Sequence, residues 1–182
     1  MIKSYTLSPN RKSESEASLV SIFAPVRSEL QAVENQLLGW SKASSQSLRA
    51  MARQTISRPG KLIRPGLFLL MTGHFDYQEK DRIEAAATIE AIHAASLIHD
   101  DIIDGSALRR GKATALKAFG PEFSLLFGDY LFIKSISRAL DFKNKKIAQI
   151  LSEASGQMIE GEIEELTQSY NLKISENTYF KI

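Results

Sequence analysis

The sequence contains no cysteine. Disulfides, thiolate nucleophiles and cysteine-bound zinc are therefore excluded. Histidine is scarce, and His74, His93 and His99 lack the spacing of a zincin-type zinc site. No apolar run approaches the ~20 residues needed to span a bilayer. The opening stretch MIKSYTLSPNRKSESE has no apolar segment of the kind a secretory signal needs. These absences lead to the expectation of a cytosolic chain with no membrane span. Neither sign of charge dominates: 23 basic and 21 acidic residues leave a net +2. That balance argues against nucleic acid as a partner and against a polybasic membrane anchor. The ends differ, with ten basic and four acidic groups in residues 1–65 and two basic and six acidic in 152–182. Solvated helix faces account for most of that bias. Period-2 alternation and internal repeats are also missing. GSALRRGKA is not a P-loop, because five residues separate its glycines and Ala113 stands where the metal-binding hydroxyl belongs.

What the chain does have is helical periodicity. With 182 residues, 43% of them hydrophobic, one domain with a substantial core is expected. Residues 1–15 read as a flexible tail and 16–182 as a helical domain. Leu19, Ile22, Phe23, Val26, Leu30, Val33 and Leu37 recur at steps of three and four, with a break at Pro25. A second helix is expected over about 44–57, with Leu48, Met51, Ala52 and Ile56 inward. SRPGKLIRPG is a loop, and Pro65 can open the next helix. Asp81 starts a long alanine-rich helix that Gly105 stops near Asp104. GSALRRGKAT reads as a loop, followed by helices at about 121–140 and 145–168 and a short one near Ser175. The expected fold is all-α, an antiparallel helical bundle.

The long helix ends in an unusual cluster, SLIHDDIIDGSALRRGKAT. At about 100° per residue, Asp100 and Asp104 share a face, and His93 lies about 20° off the same line. Carboxylates one turn apart repel each other, and the negative end of the helix dipole opposes them further. A divalent cation removes both penalties, and Mg²⁺ suits hard oxygen ligands that leave room for water and phosphate. Arg109 and Arg110 follow at once and can hold that phosphate by charge-assisted bonds. A solvated acidic helix end is the plain alternative. GKLIRP adds Lys61 and Arg64 in a loop punctuated by glycine and proline. The later run IEGEIEEL, with Glu160 and Glu164 on one face, reads as a solvated surface, although GQMIEGE around Gln157 can approach the site.

Taken together, these stretches resemble the trans-polyprenyl diphosphate synthases. GKLIRP is similar to that family's isopentenyl diphosphate loop, and IEAIHAASLIHDDIIDGSALRRGKAT to its first aspartate-rich region. FGDYLF and GQMIEGE are similar to the helices that follow. The resemblance implies the isoprenoid synthase type of helical bundle. It implies that Asp100 and Asp104 bind Mg²⁺ with Asp101 beside them, all three catalytic, and that Arg109 contacts the allylic diphosphate. It implies that Gly60, Lys61, Arg64, His93 and Arg110 hold isopentenyl diphosphate. The reaction implied is a head-to-tail condensation giving a polyprenyl diphosphate, by a homodimer joined through helices in 121–168. Small residues, Ala95 and Ser96, stand just before the aspartates, where the family's short-chain enzymes carry bulky aromatics. That implies a medium- or long-chain product.

The chain departs from the family in that no second aspartate-rich motif follows the first, and it is therefore expected to be a C-terminally incomplete fragment, the N-terminal part of the usual enzyme. A half bundle of this kind is expected to expose apolar surface. Two other functions remain open on sequence, a non-catalytic subunit of a heteromeric synthase and a helical interaction module without a ligand.

Overall fold

The computed structural model describes residues 19–42, 45–56, 60–77 and 81–182. The expected tail and its boundary at residue 15 lie outside them. The helix broken at Pro25 is a short helical turn, a 3₁₀ turn at Ala24–Val26, and then α1 (Arg27–Gly39). α2 is Gln46–Ile56, with Met51, Ala52 and Ile56 buried and Leu48 partly so. α3 is Ile63–His74. It begins two residues earlier than Pro65 suggests. Proline in a first turn removes no helical hydrogen bond, so it need not mark the first residue. α4 is Arg82–Ile103, flanked by Asp81 and Asp104, and Gly105 turns left-handed at φ +64 to end it.

α4 is the axis of the molecule. It packs most extensively against α6 (Pro121–Leu140), then against α3 and α1. Its alanines make this possible: Ala85, Ala86, Ala87, Ala91 and Ala95 are all buried and let neighbouring backbones approach closely. Val33, Leu37, Met51, Leu69, Phe127 and Leu131 fill the space around them. One carboxylate is built into this packing. Glu84 accepts a hydrogen bond from Trp40 Nε1 at 3.0 Å, another from Gln36 Nε2, and pairs with Arg138 at 3.4 Å. It ties α1, α4 and α6 together.

The stretch expected to be a loop after α4 contains a two-stranded hairpin, β1 (Leu108–Arg109) against β2 (Lys112–Ala113). Its turn residues, Arg110 and Gly111, both have positive φ, +51 and +75. That pairing is the mirror-image turn whose twist suits a tight hairpin. Four residues of strand are too few for alternation to show in sequence. A short helix the sequence did not suggest, α5 (Ala115–Phe119), follows, with Thr114 accepting from Lys117 N at its start. α7 (Lys145–Gln168) and α8 (Glu176–Tyr179) complete the described chain. Among the described residues no helix is long and apolar enough to cross a membrane.

The apolar surface expected of a half bundle is present. Phe123, Leu126, Ile133 and Leu140 are exposed along α6, and Ile150, Met158, Ile159, Ile163 and Leu166 along α7. On α6 these positions follow steps of three and seven, a single stripe along the helix.

Candidate active site

Three separate stretches of chain converge on one cavity of about 390 Å³. The loop before α3 supplies Gly60, Lys61 and Arg64; α4 supplies Glu90, His93 and Asp101; the hairpin supplies Arg109, Arg110 and Lys112. Each stretch has a local reason for its aim. Leu62 is left-handed at φ +47 and buried, which turns the loop and leaves Lys61 and Arg64 exposed on either side. On α4, Glu90, His93, Ala94 and Leu97 fall at helical spacing and form one wall. The hairpin register sets Arg109 opposite Lys112, with Arg110 at the turn. Like charges paired across strands, and a non-glycine residue left-handed beside them, both cost stability. The hairpin is thus built for its charge.

Electrostatics in the cavity follow from that crowding. Burial and the nearby Arg64, Arg110 and Arg109 lower the pKa of His93 from 6.5 to about 4, so its ring is neutral near pH 7. Burial raises the pKa of Glu90, while Arg64 and Arg110 oppose the rise. Glu90 was missed in the sequence, although its place three residues before His93 puts it on the same wall. Thr55 also lines the cavity and was missed; its buried Oγ1 has no hydrogen-bond partner among the described residues.

The three aspartates do not act as one group. Asp101 is buried and accepts from Arg109 Nε at 2.9 Å, on the cavity side. Asp100 and Asp104 do not line the cavity. The single stripe expected from His93 to Asp104 therefore divides: His93 faces the cations, and the two carboxylates lie beyond it at the helix end. Burial raises the pKa of Asp100; Arg109 pulls it down, and Asp104 and Asp101 push it up. Glu162 of α7 belongs to the same field. Burial raises its pKa first, then the charges of Asp100, Glu165 and Asp104. One member of the acidic run on α7 thus lies within electrostatic reach of the aspartates. Sequence periodicity could not place Glu162 there, because the approach of α7 to α4 is tertiary.

Asp100 and Asp104 suit a hard divalent cation by donor type and by their mutual repulsion. Among the described residues no three His, Cys, Asp or Glu side chains close on one point. A cation held by the two aspartates would complete its shell with water or a bound phosphate.

The sequence model of the polyprenyl synthetase family matches residues 45–182. The chain belongs to the polyprenyl synthetase family. Octaprenyl diphosphate synthase of Escherichia coli is 34% identical over 137 residues, 75% of this chain and 42% of that enzyme. A decaprenyl diphosphate synthase from Rhodobacter capsulatus superposes with a TM-score of 0.81 at 32% identity, over 90% of this chain and 50% of that one. A polyprenyl synthase from Caulobacter crescentus, solved with calcium and isoprenyl diphosphate, superposes with a TM-score of 0.82 at 30% identity, again over 90% and 50%. The chain thus spans about half the length of the relatives it matches.

Proposed function

We propose that this chain carries the isopentenyl diphosphate site and the first metal site of a polyprenyl diphosphate synthase. The observation that carries this reading is the convergence of Lys61, Arg64, His93 and Arg110 on one cavity, with Asp100 and Asp104 just beyond it. Lys61, Arg64 and Arg110 hold the diphosphate of isopentenyl diphosphate, with Gly60 giving the backbone room to approach. His93, neutral, donates a hydrogen bond rather than a charge. Asp100 and Asp104 hold Mg²⁺, and Arg109 reaches the allylic diphosphate beside it. Mg²⁺ supplies charge neutralisation for the departing diphosphate. The residues fix the two substrates so that the isopentenyl double bond faces allylic C1. The C1–oxygen bond breaks, the new carbon–carbon bond forms, a proton is lost, and diphosphate leaves. With small residues at Ala95 and Ser96, the product is medium- or long-chain. The exposed stripe on α6 is the face through which the chain forms a homodimer.

The test is incorporation of labelled isopentenyl diphosphate into extractable lipid by the 182-residue chain with Mg²⁺ and farnesyl diphosphate. Product supports the full reading, and its length tests the medium- or long-chain expectation. Binding of isopentenyl diphosphate without turnover limits the chain to the binding half of the reaction. Absence of binding sinks the proposal.

A further inference from the structure

The middle carboxylate of the cluster is buried against an arginine. Asp101 is 5% exposed, and its Oδ1 accepts from Arg109 Nε at 2.9 Å. Its backbone is engaged as well, since Asp101 O accepts from Ser106 N at 2.8 Å. Ser106 O in turn accepts from the buried Thr114 Oγ1 at 2.7 Å, and Thr114 N donates to Ala107 O at 3.1 Å. The chain leaves α4, forms the hairpin and returns to Thr114 through these contacts. The entry to the hairpin is tied directly to Asp101, and its far end is tied back to that entry at Ser106 and Ala107.

We propose that Asp101 is a positioning residue: it holds Arg109, and with it the hairpin that carries Arg110, against α4, and it takes no part in binding Mg²⁺. The inference rests on the proposed function for what Arg109 does, but its geometry stands apart from turnover. In a helix Asp101 points about 100° away from Asp100. Asp100 and Asp104 lie outside the cation-lined cavity, while Asp101 lines it. Pairing through Nε fixes the guanidinium plane and leaves both terminal nitrogens to meet a phosphate as a fork. Without the pair, Arg109 is a flexible side chain on a six-residue hairpin beside two other cations.

The experiment reads the side-chain Nε–Hε resonance of Arg109 in ¹⁵N-labelled full chain, assigned by its loss in Arg109→Lys. The expected result is slow hydrogen exchange at that site, a shift in Asp101→Asn, and no loss of protection as Mg²⁺ is added. Calorimetry on Asp101→Asn should show the number of Mg²⁺ ions unchanged and inorganic diphosphate bound about tenfold more weakly in their presence. Three results would overturn the proposal: exchange as fast as that of exposed arginines, protection lost on adding Mg²⁺, or a Mg²⁺ ion lost in Asp101→Asn. Because the exchange measurement uses the wild-type chain without substrate, it stands even if Asp101→Asn folds poorly. It also stands if the chain makes no polyprenyl product, which would count against the proposed function alone.

Discussion

The guanidinium of Arg110 lies over Gly60 so closely that a Cβ built there would fall 2.8 Å from Nη1. The glycine is therefore a spacer between the loop before α3 and the hairpin. Gly60→Ala should displace Arg110 and weaken isopentenyl diphosphate binding roughly tenfold, the loss expected of one disturbed charge-assisted contact. Because the disturbed side chain is exposed, the melting temperature should hardly move. Titration calorimetry beside a thermal melt separates the two effects, and unchanged affinity would show that Arg110 does not reach the ligand.

Replacing either metal-site carboxylate has a different signature. Asp100→Asn and Asp104→Asn each remove a proposed metal ligand and also relieve repulsion. We expect Mg²⁺-dependent diphosphate binding to fall at least tenfold while stability stays level or rises slightly. Calorimetry with inorganic diphosphate, with and without Mg²⁺, is the check. A loss that is equal in both conditions would mean that the aspartates do not act through a metal.

His93 gives a pH dependence whose sign is fixed by its lowered pKa. The folded protein binds its proton near pH 4, and the unfolded chain near 6.5. The neutral ring's contribution to stability is fully present above about pH 6.5 and declines as pH falls towards 4, where the folded state also takes up the proton. His93→Gln should therefore flatten the melting-temperature profile between those values. A wild-type profile with the same slope as the variant's would argue against a half-buried neutral histidine.

Glu84 carries a structural prediction. Glu84→Ala leaves the Trp40 indole N–H, the Gln36 amide and Arg138 without their common acceptor. The expected cost is about 3 kcal/mol, read from urea denaturation. A loss under about 1 kcal/mol would show that water replaces the carboxylate at little cost.

The apolar stripe on α6 predicts the oligomeric state. Ile133 is 67% exposed in the single chain. If the stripe joins two copies, Ile133→Asp should turn a dimer into a monomer at tens of micromolar by sedimentation velocity, with little change in helical content. A wild-type chain that is already monomeric at that concentration would refute the assignment.

Helix limits were legible in sequence wherever a local signal marks the end. Asp81 and Gly105 bracket α4, Pro121 opens α6, and Ser175 accepts from Thr178 N to cap α8. The cations were legible as well, because glycine, proline and charge cluster around them. What stayed hidden was tertiary. The two-residue strands carry no period, so the hairpin read as a loop. Glu90 looked like one more polar residue on a long helix until Arg64 and Arg110 were folded against it. Glu162 looked solvated until α7 was brought alongside Asp100. Asp101 was indistinguishable from its neighbours in a run of carboxylates, and only the direction of its side chain separates it from them.

The cavity gathers five cationic side chains and two anionic ones from three stretches that folding draws together. Folding therefore does electrical work against their repulsion, and the empty protein stores it. A polyvalent anion gives that work back when it binds, so inorganic diphosphate is expected to act as a folding ligand. Simple salt relieves the same stress by screening, and in doing so it weakens the grip on the anion. Diphosphate should therefore raise the melting temperature most at low ionic strength, where the empty cavity stores the most.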